Sequence, residues 1–266
     1  PRKILYLGRQ MLKKRVIPVL LLKNGRMVKG KQFKSYRDTG DPVSQAKIYN
    51  AHNTDELVFL DILAINQKTN TLVDTVKKVS KECFMPLAVG GGISSLEDAS
   101  NLINAGADKI IINSNAIKNS YLVSECAETF GKQAIIVSID LKKEDDKYIV
   151  YSHSGKKKES VDFVVHLREM IKSGAGEILI NSIDADGMMG GYDLELLKLT
   201  LDNCKIPIII CGGAGHFEHL FEGLQNGAHA VACSSLFHFG DNNPTRARSF
   251  LLNKGISMKN IKGVKF

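Results

Sequence analysis

The stretch Leu87-Ala88-Val89-Gly90-Gly91-Gly92-Ile93 returns 122 residues later as Ile209-Ile210-Cys211-Gly212-Gly213-Ala214-Gly215. Each is a short aliphatic run that stops on glycines. The same interval recurs around them. Glu56-Leu57-Val58-Phe59-Leu60-Asp61-Ile62 is matched by Glu177-Ile178-Leu179-Ile180-Asn181-Ser182-Ile183, and Gly106-Ala107-Asp108 by Gly227-Ala228-His229. A unit of about 120 residues that appears twice points to an internal duplication.

Outward from these runs, short Ile/Val/Leu segments alternate with amphipathic stretches of about a dozen residues. The segments predict strands at 16–22, 56–62, 86–89, 109–113, 134–141, 177–183, 207–211 and 228–234. They lack polar alternation, as strands buried on both faces do. Helices are predicted at 42–51, 71–81, 95–105, 120–130, 161–173, 193–203, 217–225 and 244–252, and Ser94-Ser95-Leu96-Glu97 supplies one of them with a cap. Eight strands and eight helices in alternation, in two similar halves, predict a single (β/α)8 TIM barrel made of two (βα)4 half-barrels. An open doubly wound sheet is the alternative. The length of 266 residues suits one such barrel, which takes about 250. Residues 11–266 are assigned to it, and residues 1–10 are expected to be a leader or an added extension. Residues 142–158 read as an extended lysine-rich loop with a small hairpin at 148–152.

Composition narrows the chemistry. With 44% hydrophobic and 24% charged residues, the chain is an ordinary globular one. It holds no apolar run long enough to span a bilayer, and its N-terminal apolar run is too short for a signal peptide. A cytoplasmic protein is expected. Five widely spaced cysteines, Cys83, Cys126, Cys204, Cys211 and Cys233, make neither a disulfide framework nor a zinc motif and read as buried thiols. No metal and no cofactor is expected. The net charge of +8 favours an anionic partner, but with no tryptophan and no basic–aromatic interleaving a phosphorylated small molecule fits better than nucleic acid or membrane.

Active sites of such barrels lie where the strands end. There Gly90-Gly91-Gly92 and Gly212-Gly213-Ala214-Gly215 let backbone N–H groups approach an anion, and Asn113-Ser114 and Ser234-Ser235 precede helix starts. Two such constellations predict two phosphate sites across the mouth. They comprise Gly91, Gly92, Asn113, Ser114, Gly212, Gly213, Ser234 and Ser235, with Asp186 and Gly187 beside them. Asp140 ends the fifth predicted strand. It is a candidate acid or base, or else a turn cap or partner of Lys142. Its counterpart in the first half is Leu21, which moves no proton. Asp61, Asp184 and Asp186 orient substrate hydroxyls or cap turns. Lys29 and Lys31, in a glycine-flanked loop, reach over a phosphate or are solvated. At the opposite end the strands begin with Arg15, Glu56, Lys109 and Glu177, which by themselves read as solvent-facing charges, with a closed salt-bridged ring of two cations and two anions around the barrel axis as the alternative.

Several motifs carry a family resemblance: Arg15-Val16-Ile17-Pro18, Asn24-Gly25-Arg26-Met27-Val28-Lys29-Gly30, Arg37-Asp38-Thr39-Gly40-Asp41-Pro42, Asp55-Glu56-Leu57-Val58-Phe59-Leu60-Asp61, Val89-Gly90-Gly91-Gly92-Ile93 and Gly176-Glu177-Ile178-Leu179. From about Met11 onward the chain resembles HisF, the cyclase subunit of imidazole glycerol phosphate synthase. The resemblance implies a heterodimer with a HisH-like glutaminase docked where the strands begin, with Asp108 at that interface. It also implies an ammonia gate of Arg15, Glu56, Lys109 and Glu177, and phosphate contacts from the glycine turns, Asn113, Ser114, Gly187, Gly213 and Ser235. Lys29 is implied to be the mobile-loop lysine over a bisphosphorylated ligand.

The family reaction belongs to histidine biosynthesis: ammonia attacks a ribulosyl intermediate bearing two phosphates, and ring closure and cleavage follow. It uses two aspartates. Asp140 matches one, while the other position holds Leu21. Loss of an acid–base partner costs about 10²–10⁴-fold in rate. The chain therefore looks similar to the divergent branch in which such a pair supplies ammonia for amidation of surface or flagellar sugars. An ordinary cyclase is the second expectation, and a phosphate-sensing activator of a glutaminase the third.

Overall fold

The computed structural model describes residues 13–63, 71–238 and 241–258. The segment 1–10, read as a leader or extension, lies outside them. The elements in chain order are β1 (Arg15–Lys23), β2 (Arg26–Lys31), β3 (Lys34–Gly40), α1 (Pro42–Ala51), β4 (Leu57–Asp61), α2 (Thr71–Glu82), β5 (Leu87–Gly90), α3 (Leu96–Asn104), β6 (Lys109–Ile112), α4 (Ser114–Lys118) and α5 (Tyr121–Phe130). A 3₁₀ turn at Lys132–Ala134 leads into β7 (Ile135–Glu144), β8 (Lys147–Ser152), β9 (Lys157–Asp162), α6 (Phe163–Lys172) and β10 (Glu177–Ser182). The chain continues through α7 (Leu194–Asn203), β11 (Ile208–Cys211), α8 (Phe217–Gln225), β12 (Ala230–Cys233), α9 (Ser235–His238) and α10 (Pro244–Asn253).

Strands β1, β4, β5, β6, β7, β10, β11 and β12 pair in that order, all parallel, and β12 returns to β1. The predicted closed (β/α)8 barrel is therefore the observed fold, and the open sheet is not. The repeat falls on equivalent places: β5 and β11 run into the two glycine turns, and Ser114 and Ser235 open the short helices α4 and α9.

Burial on both faces explains the aliphatic runs. Outward residues such as Val16, Leu20, Phe59 and Ile180 pack under the helices. Inward residues such as Ile17, Val58, Ile111, Ile136, Leu179 and Ile209 fill the barrel as a second cluster. Side chains alternate along a strand, so each inward column can be read by steps of two. On β1 it runs Arg15, Ile17, Val19, Leu21; on β6 and its end, Lys109, Ile111, Asn113; on β10, Glu177, Leu179, Asn181. Charge stands at one end, aliphatic side chains in the middle, and the cavity-lining residue at the other.

The helices are fixed by local signals. Asp41, Ser95, Asp162, Asp193 and Asn243 each accept a backbone N–H from the first turn of the helix that follows. The structure adds one antiparallel extension and enlarges another, in which the small hairpin expected at 148–152 is the single strand β8 (Lys147–Ser152). Lys29 and Lys31, expected in a glycine-flanked loop, belong instead to the antiparallel pair β2–β3, with β2 laid on β1. The lysine-rich segment is also more ordered than expected. β7 runs on to Glu144 and pairs with β8, which pairs with β9. The predicted helix at 161–173 consequently starts at Phe163, because Val161 and Asp162 belong to β9. All five cysteines are buried and free. Among the described residues, no helix is long and apolar enough to cross a membrane.

Candidate functional site

The strand ends surround a cavity roofed by the two antiparallel extensions. All ten residues expected to form the phosphate sites line it: Gly91, Gly92, Asn113, Ser114, Asp186, Gly187, Gly212, Gly213, Ser234 and Ser235. The glycines are required by the backbone. A Cβ on Gly91 (φ +126°) would stand 2.5 Å from the carbonyl oxygen of Asp61, and one on Gly213 (φ +109°) would overlap that of Gly191. Only glycine satisfies both the left-handed backbone and these approaches. Ser114 is buried, and its hydroxyl accepts the N–H of His153 at 3.0 Å. Ser154 donates to the carbonyl of Ile62 at 3.1 Å. The β8–β9 turn is thereby fastened across the mouth.

Asp140 is the inward residue at the end of the fifth barrel strand and is 6% exposed. The amides of Asn113 (2.8 Å) and Asn181 (3.5 Å) donate to it. Burial pushes its carboxyl up to about 7; the two amides oppose the rise, and the charge of Asp186 adds to it. A carboxyl at that level changes protonation near neutrality, as a general acid or base must. Lys142 does not pair with it; the Lys142 ammonium lies 3.7 Å from Glu144 instead. Leu21 lines the same cavity from β1, diametrically across the eight-strand circuit. The side of the mouth facing Asp140 is therefore aliphatic, with Leu21 paired to Leu60.

Lys29 needs a correction. It sits in strand β2, not in a loop, because Asn24-Gly25 turns the chain into a hairpin. Nor is it solvated: it is 5% exposed, and its ammonium lies 3.0 Å from Asp186 Oδ1. Lys31 is exposed. Of the other two carboxylates, Asp61 accepts the N–H of Leu63, two residues on, at 2.9 Å, and Asp184 reaches across to accept that of Lys143 on β7 at 2.8 Å. Sequence reasoning overlooked Asn181, Phe33, Tyr36 and Cys211, all in the cavity wall. Asn181 was findable, since steps of two from Glu177 reach it and it stands in register with Asp140. Burial, together with Asp186 and Asp140, drives the Tyr36 phenol up to about 12, so it remains a hydrogen-bond donor.

At the other end of the barrel, Arg15, Glu56, Lys109 and Glu177 close into a ring. Arg15 bonds both carboxylates, and Lys109 reaches Glu56 at 3.1 Å and Glu177 at 2.6 Å. The cations are 17–18% exposed and the Glu56 side chain 2%. Burial works against the charge on Glu177, but Arg15 and Lys109 outweigh it and hold its carboxyl below the usual range. Solvent-facing charges they are not. On the same end Asp108 is exposed and accepts the N–H of Leu87 at 2.8 Å. Beside it a polar groove runs past Asn104 and Ser80 to Phe84, which is 89% exposed.

A family model described as "Histidine biosynthesis protein" matches residues 15–243. A protein of Chloroherpeton thalassium named "Imidazole glycerol phosphate synthase subunit HisF" is 46% identical over 250 residues, which cover 94% of this chain and all of that protein. Proteins of the same name from two strains of Dehalococcoides mccartyi are 47% identical over 250 residues, covering 94% of this chain and 99% of each.

Proposed function

The chain belongs to the histidine biosynthesis protein family as a HisF-like barrel, and from that premise we propose that it receives ammonia from a HisH-like glutaminase subunit and conducts it along the barrel axis. The ammonia is passed to a separate acceptor, in the manner of the sugar-amidating branch, rather than used for cyclisation in place. The mouth binds a ligand with a phosphate at each end: one at Gly91, Gly92, Asn113 and Ser114, the other at Gly187, Gly212, Gly213, Ser234 and Ser235.

The observation that carries this is the inward column of β1. Arg15 opens it in the charged ring, Ile17 and Val19 continue it through an apolar interior, and Leu21 ends it opposite Asp140. An apolar passage admits neutral ammonia and excludes charged ions, because desolvating an unpaired ion costs several kcal/mol or more. The ring supplies a hydrogen-bonding entrance. The mouth keeps one titratable carboxyl near neutrality but has no partner for it across the barrel. Asp61 and Asp186 do not replace that partner: one is turned to a loop N–H and the other to Lys29. A complete ring argues against a pure ligand sensor, which needs no entrance.

An ordinary cyclase is favoured by a different observation, the intact phosphate-type mouth around Asp140, and the relatives carry that name. Turnover of the ribulosyl bisphosphate substrate with excess ammonium separates the two. Delivery elsewhere predicts little wild-type turnover alongside a stable complex with a HisH-type glutaminase. Robust turnover that disappears in Asp140→Asn would restore the ordinary cyclase.

A further inference from the structure

Among the described residues lining the cavity, Lys29 is the only cation, while Asp61, Asp140 and Asp186 are acids. A ligand with two phosphates brings about −1.5 to −2 charges at each. Glycine N–H groups and serine hydroxyls offer partial charges only. One full positive charge is at hand, and here it is already engaged. The Lys29 side chain is 4% exposed and that of Asp186 11%, with 3.0 Å between ammonium and carboxylate. The pair is incomplete on the acid's side: Asp186 Oδ2 is buried and has no hydrogen-bond partner. A buried carboxylate that retains an unsatisfied oxygen leaves its desolvation cost only partly offset.

The two residues are brought together by more than their charges. The N–H of Gln32 donates to the carbonyl of Asp186 at 2.8 Å, and its side-chain amide to that of Asp184 at 3.0 Å. Gly187 lies so close to Gly30 that a Cβ there would stand 2.6 Å from the Gly30 carbonyl oxygen. The β2–β3 hairpin and the loop after β10 are thus stitched backbone to backbone, with Lys29 and Asp186 facing each other inside the seam. An anion reaching Gly187 and Gly213 arrives beside that seam.

We propose that Asp186 is a built-in competitor for the phosphate ligand: its carboxylate holds the ammonium of Lys29, and a phosphate binds only by drawing Lys29 away from it. The inference rests on the reading of the mouth as a phosphate site and assigns Asp186 a role opposite to that of an anion-binding residue. It also gives the site a threshold. Apparent affinity is the intrinsic affinity reduced by the fraction of molecules in which Lys29 is released. Weak or singly charged anions therefore fail to open the pair, and a ligand with a dianionic phosphate does.

The sign of one substitution tests this. Asp186→Asn keeps the shape and removes the charge. Calorimetric titration with inorganic phosphate, and with glycerol phosphate as an organic probe, is expected to show binding tightened about 10-fold or more, as for a pair closed in nine molecules of ten or more. Lys29→Met is expected to weaken binding, and Lys29→Met/Asp186→Asn to bind no tighter than Lys29→Met alone, because the gain acts through the lysine. Asp186→Ser, a second charge-removing variant, supplies the same comparison if the asparagine form does not fold. Wild-type binding with an unchanged or weakened Asp186→Asn overturns the inference alone. No binding by the wild type or by either charge-removing variant overturns the phosphate reading of the mouth, and the inference with it.

Discussion

Leu21→Asp restores a carboxylate opposite Asp140, and its effects can be worked out from the geometry. Leu21 is half-buried, between Leu60 on β4 and Val28 on β2. Losing part of its apolar burial costs about 1 kcal/mol, and placing a carboxylate there adds about 1–3 kcal/mol. A domain of this size loses about 2–4 °C of Tm per kcal/mol, so a drop of about 4–16 °C is expected, with the fold retained. Rate should move the other way. Supplying the missing acid–base partner is worth about 10²–10⁴-fold, read as ammonium-driven turnover of the ribulosyl bisphosphate substrate relative to wild type. The pH profile should carry a second signature. Asp140 is already held at about 7 by burial, with Asp186 contributing, and another nearby negative charge further disfavours its ionised form. The protonated acid then persists to higher pH, and the alkaline limb of the rate profile shifts upward. A variant that folds, melts within this range and gains less than about tenfold would refute the assignment of Leu21 as the missing catalytic position. So would a wild type that turns over as fast as the variant.

Asp140→Asn should change the pH dependence of stability. The carboxyl sits near 7 in the folded chain against about 3.9 unfolded. The folded state thus binds the extra proton between these values, and wild-type stability falls as pH rises through that window. The asparagine variant should gain on wild type between pH 4 and 7 in urea titrations and hold a constant lead above 7; a lead that does not grow contradicts the burial argument. Lys109→Met removes one of two cations facing Glu56, whose side chain is 2% exposed. Breaking a buried pair costs about 3–5 kcal/mol; with Arg15 still in place, a loss of about 2–3 kcal/mol is expected by urea unfolding, together with slower glutamine-driven but unchanged ammonium-driven turnover when the change is made in the Leu21→Asp variant. Phe84→Ala, on the same face as Asp108, should leave Tm within about 1 °C, since an 89%-exposed ring packs on little. It should weaken binding of a HisH-type glutaminase at least about tenfold in a surface-binding assay, as exposed aromatic anchors do. Unchanged affinity would place the docking surface elsewhere.

The barrel was legible because its strands must be apolar on both faces, and Ile/Val/Leu runs ending on Gly91 or Gly213 announce that directly. The hairpin β2–β3 was not read, although a clear signal stood just before it: Asn24-Gly25, both left-handed (φ 52° and 74°), is a favoured two-residue hairpin turn and folds β2 back on β1. The glycines around Lys29 and the charged residues of β3 masked it, since β3 is largely exposed and carries no apolar pattern. The turn of the β2–β3 hairpin itself, Gln32-Phe33, is also left-handed (φ 48° and 58°), and neither residue advertises it. Missing the hairpin hid the walls it carries. Phe33 and Tyr36 entered the cavity unannounced, and Lys29 changed from a surface cation to a buried one.

The charged ring and the mouth differ in how their residues come together, and that difference decides what a linear sequence can disclose. Arg15, Glu56, Lys109 and Glu177 occupy the first inward positions of strands 1, 2, 4 and 6 of the barrel, so closure alone makes them converge: two cations and two anions at one level of one axis must pair or repel. Once the fold is granted, the ring follows from strand parity. Asp140, Asn113 and Asn181 obey the same rule at the last inward position, and Leu21 is conspicuous because it occupies the fourth such place with a side chain that does no proton chemistry. Asp186 and Lys29 obey no such rule. One lies in a loop and the other on an accessory hairpin, and they meet only because Gln32 and the bare Gly187 let two backbones pack together. Parity thus accounts for the elements shared with any barrel of this type, whereas the contact that sets the cavity's charge balance arises from the appended hairpin. Changes in ligand preference are therefore expected to track β2–β3 and the loop after β10, while the ring and the apolar axis stay fixed.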